Sequence, residues 1–136
     1  MPILDRITSA DGLAPGPGYS HAVVTSGKLA FVAGQVAVDA TGTLVGAGDV
    51  QAQATQALAN VKRVLTALKA DWGDVVRFGW YVLDATQVQG IRDARDAVLR
   101  PALGDQPNPA STLVQVASLF RPEFLVEVDA VVALPE

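Results

Sequence analysis

Residues 124–134 constrain the fold of this chain more than any other stretch. Side chains alternate across a strand, so Phe124, Val126, Val128, Ala130, Val132 and Leu134 form one wholly apolar face. The opposite face carries Leu125, Glu127, Asp129, Val131 and Ala133. Such a segment reads as a central strand of a sheet, with two carboxylates set among apolar neighbours. Carboxylates are rarely buried unless paired or hydrogen-bonded, because desolvating the ion is costly. Glu127 and Asp129 therefore mark either a site or a solvated face of a one-sided sheet.

The remaining elements follow from periodicity. From Val50, apolar residues recur at Ala54, Ala57, Leu58, Val61, Val64, Leu65 and Leu68, the three-four spacing of an amphipathic helix. Asp49 is placed to cap it, and Gly73 to turn the chain after it. Gln51, Gln53, Gln56, Lys62, Arg63 and Lys69 are expected on its solvated face. Residues 22–25 and 29–36, separated by Ser26-Gly27-Lys28, read as a hairpin. A strand over 75–83 puts Val76, Phe78, Trp80 and Val82 on one face. A second helix over 88–99 is expected to stop at Pro101, and 110–116 forms another strand. The order β-β-α-β-α-β-β implies a two-layer α+β domain spanning 1–136, with helices on one face of a mixed sheet. The other face, if as apolar as the strands suggest, needs another subunit.

Composition narrows the function classes. The chain has 136 residues, half of them hydrophobic and 18% charged, which excludes disorder. A formal charge of −4 argues against a nucleic-acid partner, which needs a basic stripe to track phosphates. With no cysteine and a single histidine, His21, thiolate metal sites and a multi-histidine site within one chain are excluded. No basic segment leads an apolar run at the N-terminus, and no run approaches the roughly 18 apolar residues that span a membrane. A cytoplasmic protein without a membrane partner is expected. The loop Gly16-Pro17-Gly18 is no phosphate cradle, since its prolines lack the N–H groups that such a loop uses.

Five segments in order carry a resemblance. They are Tyr19-Ser20-His21-Ala22-Val23, Phe31-Val32-Ala33-Gly34-Gln35, Gln56-Ala57-Leu58-Ala59-Asn60-Val61, Pro109-Ala110-Ser111-Thr112 and Val126-Glu127-Val128-Asp129-Ala130. In order and spacing they resemble the RidA/YjgF family. The resemblance implies a chorismate-mutase-like fold, a homotrimer with ligand clefts between subunits, and a small-molecule ligand. It also implies cofactor-free hydrolysis of imines and enamines. On that pattern Glu127 helps place the attacking water, Tyr19 lines the cleft and Gly34 is the small cleft residue. Asp129 reads as framework, paired across the sheet.

The departures matter more than the matches. Where the family's best-known branch has an arginine that grips the substrate carboxylate, this chain has Ser111. A hydroxyl cannot reproduce a charged, bidentate grip, so standard 2-iminoacid deaminase activity is not expected. The loop also carries an extra glycine, Gly16-Pro17-Gly18-Tyr19 where Gly-Pro-Tyr is usual. Arg121, just before the last strand, and Arg92, early in the second helix, are the candidates to supply the missing charge. The competing reading is a non-catalytic binder or sensor that kept the fold and lost the chemistry.

Overall fold

The computed structural model describes residues 2–136. Its elements are β1 (Ile3–Ile7), β2 (Ala22–Thr25), β3 (Leu29–Gln35), α1 (Val50–Ala67), β4 (Val75–Val82), α2 (Val88–Leu103), β5 (Ala110–Gln115) and β6 (Val126–Ala133). Four strands make one mixed sheet in the order β3-β6-β4-β5. β6 runs antiparallel to both neighbours, while β4 and β5 are parallel. β6 is therefore central, as its alternation requires.

Both helices cover one face. Val126, Val128, Ala130 and Val132 pack there with Phe78, Trp80, Leu58, Val61, Leu65 and Ile91. Burying each such side chain contributes about 1.5–3 kcal/mol. Asp49 caps α1 by accepting from the Ala52 N–H at 3.0 Å. On the opposite sheet face Glu127, Asp129 and Val131 are only half-buried. Phe31 stands 78% exposed there, with Leu29 and Val114 also open.

Several sequence expectations are corrected. The strand β1 precedes those foreseen, and β2 pairs with it in a separate two-stranded ribbon. The hairpin between 22–25 and 29–36 does not form its ladder. β3 instead pairs with β6, where Val32 is buried opposite Ala130 and Ala30 is half-buried opposite Val132. Pro101 does not stop α2, which runs on to Leu103. The hydrogen bond that Pro101 cannot make would have gone to Ala97, an exposed residue whose carbonyl water can serve. Buried Leu103 gives the last turn its anchor.

After α1 the chain turns at Lys69, with φ of 57°, rather than at Gly73. Gln53 is fully buried instead of solvated. It donates to the Gly46 and Glu123 carbonyls and accepts from the Leu125 N–H at 2.8 Å, tying α1 to the entrance of β6. Among the described residues no helix is long and apolar enough to cross a membrane.

Candidate functional site

The candidate residues fall on two sides of the sheet. On the face away from the helices, β4 and β6 set Tyr81 opposite Glu127 and Gly79 opposite Asp129. Asp129 accepts a hydrogen bond from the Tyr81 hydroxyl at 2.8 Å. That bond, with a smaller contribution from burial, holds the phenol above its usual pKa range. Asp129 is thus framework paired across the sheet. Glu127 accepts no hydrogen bond among the described residues, so its carboxylate is free to engage a ligand or a water.

Each carboxylate lies over a glycine. A Cβ added at Gly34 would collide with Glu127 Oε2, and one added at Gly79 would collide with Asp129 Oδ1. Gly34 sits where the β3–β6 ladder breaks register between Val32 and Gln35. The small residue there is what lets the Glu127 side chain lie across β3.

The helix-covered side holds a different set. In β5, Ser111 and Leu113 pair with Phe78 and Trp80, so both point toward α2. They line a pocket of about 100 Å³ together with Tyr19, Trp80, Ile91, Arg92 and Arg95. Ser111 and Glu127 therefore occupy opposite faces of one sheet. Within a single chain they do not meet.

The pocket is held by a local lock. The Ser20 N–H donates to the Pro109 carbonyl at 3.1 Å, and Ser20 Oγ donates to the Asn108 carbonyl at 2.5 Å. Buried Asn108 donates back to the Gly18 carbonyl at 3.0 Å. Arg100, in the last turn of α2, donates to the Gly104 and Gln106 carbonyls and to Asn108 Oδ1. The C-terminus of α2 thus pins the loop that presents Tyr19. The Tyr19 ring packs over Gly16 and meets His21 edge-on, with centroids 5.6 Å apart.

Of the sequence candidates, the structure brings Tyr19, Arg92 and Ser111 together in the pocket and sets Gly34 beside Glu127 on the other face. Arg121 lies apart from both. Its guanidinium stacks 4.6 Å from the Phe124 ring centroid and donates to the Gly42 carbonyl, with Glu123 at 3.5 Å. Arg95 was missed because it falls on the polar side of α2, which reads as solvated. Yet its side chain is only 12% exposed. The signal that pointed to it was the additional glycine, Gly18, at φ 78°, which any L side chain would adopt only under strain. A Cβ there would come within 2.5 Å of Arg95 Nη2.

The two-layer α+β fold of this chain is shared with proteins of known structure. Residues 10–134 match the family described as Endoribonuclease L-PSP. The Rid-family protein YyfB from Yersinia pestis superposes with a TM-score of 0.84 at 35% identity, covering 98% of this chain and 100% of that one. The RutC family protein slr0709 of Synechocystis is 34% identical over 130 residues, 95% of each chain. A 2-iminobutanoate/2-iminopropanoate deaminase of Dermatophagoides farinae is 28% identical over 124 residues, 90% of this chain and 91% of that one. This chain belongs to the RidA/YjgF family, and its fold is the chorismate-mutase-like one of that family.

Proposed function

We propose that the chain is a cofactor-free hydrolase or deaminase acting in the cytoplasm on a small imine, enamine or related carbonyl compound. Its cleft lies between two copies of a homotrimer. The observation that carries this reading is the division of the candidate residues between two sheet faces. Tyr19 and Ser111 line a pocket under α2, and Glu127 stands on the open face with no partner among the described residues. A second copy docking its open face against the pocket unites them. The exposed Phe31 and Leu29 of β3 and Val114 of β5 on that face support such docking, since covering large apolar side chains is favourable.

In the proposed reaction Glu127 orients a water and accepts its proton as the oxygen attacks the C=N carbon. The proton passes to the nitrogen to give a carbinolamine; Glu127 then transfers the hydroxyl proton to the amine, the C–N bond breaks, and ammonia and a carbonyl compound leave. Tyr19 and Gly34 shape the cleft. Ser111 hydrogen-bonds the substrate where relatives have an arginine, so 2-iminopropanoate and its close homologues are expected to be poor substrates. RNA cleavage is not favoured, because a net charge of −4 repels phosphates.

The deciding measurement is ammonia release from a panel of small imines generated in situ by an amine oxidase. Acceleration over spontaneous hydrolysis with some of them, and little with 2-iminopropanoate, is expected. Brisk hydrolysis of 2-iminopropanoate would overturn the selectivity. Ligand-stabilised melting with no acceleration of any imine would instead favour a non-catalytic binder, the reading that Ser111 at the arginine position recommends.

A further inference from the structure

We infer that α2 carries a carboxylate clamp, Arg95 with Arg92, which replaces the missing arginine of β5 and makes the pocket a receptor for a small organic monoanion. The inference rests on the pocket being the substrate-binding part of the cleft. Arg92 and Arg95 are three residues apart, hence neighbours on one helix face, and both line the pocket with Ser111 and Tyr19. No carboxylate lines that pocket among the described residues. Two arginine side chains thus line one small cavity in a chain whose net charge is −4.

The donors are available. Arg95 is tied to Asp96 through Nε at 2.9 Å, which fixes the guanidinium plane and offsets part of its charge from outside the pocket. Its two Nη groups donate to nothing among the described residues, and Arg92 makes neither a hydrogen bond nor an ion pair there. A paired fork of N–H donors matches a carboxylate. Trp80, Ile91 and Leu113 give the body of the ligand an apolar floor. A volume of about 100 Å³ admits a carboxylate on a short carbon chain.

The two departures from the family pattern converge here. Ser111 leaves the space that a long side chain on β5 would fill. Gly18, the additional loop residue, leaves room for the Arg95 guanidinium against the loop. Moving the anchor from the strand to the helix moves the bound carboxylate toward α2. An acid held this way presents a different atom to the opposing subunit than one held at position 111, and standard 2-imino acids remain poor substrates for that reason.

The test is titration of the protein with propanoate and with its neutral isostere propanamide, followed by the arginine side-chain resonances in ¹⁵N NMR. Propanoate is expected to shift the Arg92 and Arg95 signals saturably, with affinity falling as salt is added, and propanamide to leave them still. Arg95→Gln and Arg92→Gln should each weaken propanoate binding by about tenfold or more. Gly18→Ala should weaken it too by displacing Arg95, and it provides the reading if Arg95→Gln loses its dispersed amide spectrum. Equal binding of propanamide, or unchanged affinity in Arg95→Gln, overturns the clamp. Lys62→Gln, which removes a charge on α1 away from the pocket, must bind propanoate like the unaltered chain. Propanoate binding without imine turnover would sink only the hydrolase reading; turnover with no arginine response would sink only the clamp.

Discussion

Glu127→Gln is expected to lower imine turnover by about 10²–10⁴-fold, the range for losing a positioned acid–base group, while KM and thermal stability stay close to their original values. The amide is nearly isosteric but cannot take the proton of the attacking water. Stability should hold because Glu127 is half-buried and receives no hydrogen bond among the described residues. Its close neighbour on β3 is Gly34. An alanine there would push only the flexible end of the Glu127 side chain, so a similar kinetic defect with an intact fold should follow. Steady-state kinetics with one productive imine, beside melting curves, checks both. Unchanged kcat in Glu127→Gln would remove the residue from the chemistry.

The largest effect on stability is expected at Phe78. It is 1% exposed at the middle of β4, with ring centroids 6.3 Å from Trp72 and 6.1 Å from Trp80. Its neighbours across the sheet are Ala130 of β6 and Ser111 of β5. Truncation to alanine leaves a cavity that two fixed indole rings cannot collapse into, which costs about 3–5 kcal/mol. Against a total stability of about 5–15 kcal/mol, that is enough to threaten folding near body temperature. Denaturant unfolding should show a lower midpoint with an unchanged slope. A loss below about 1 kcal/mol would mean that the aromatic cluster repacks freely.

How much of this was legible in the sequence depends on the range of the interaction. The central place of β6 and the length of α1 could be read because alternation and three-four periodicity are local signals with many repeats. β1 could not, since the ribbon it forms with β2 buries little and leaves Leu4 and Val24 exposed. The partner of β3 was misjudged for a related reason. A three-residue gap permits a hairpin, but the choice between β2 and a strand almost a hundred residues away is made by burial. Gln53 looked like a surface residue because its three partners lie in the entry loop and the last turn, which no local pattern connects to α1.

At the site, the types of the residues were readable and their sides were not. Glu127, Gly34, Tyr19, Ser111 and Arg92 were all singled out, yet nothing local told that Ser111 points toward α2 and Glu127 away from it. The parity of β5 against β4 decides that, through the pairing of Ser111 with Phe78. Arg121 was attractive by its nearness in sequence to β6, but Phe124 and the Gly42 carbonyl hold it elsewhere.

The sheet that separates these residues has a genetic consequence. If every working cleft takes its pocket from one copy and its glutamate from the next, two variants impaired in different halves of the cleft can repair each other. Trimers unfolded and reassembled from equal parts of Glu127→Gln and Arg95→Gln chains would contain some interfaces where an intact pocket faces an intact glutamate. With random mixing that is roughly a quarter of them. Neither parent alone would have any. Activity on mixing above the average of the two parents would locate the reaction between subunits without a picture of the assembled trimer, and a mixture no more active than that average would place both residues in the service of a single chain.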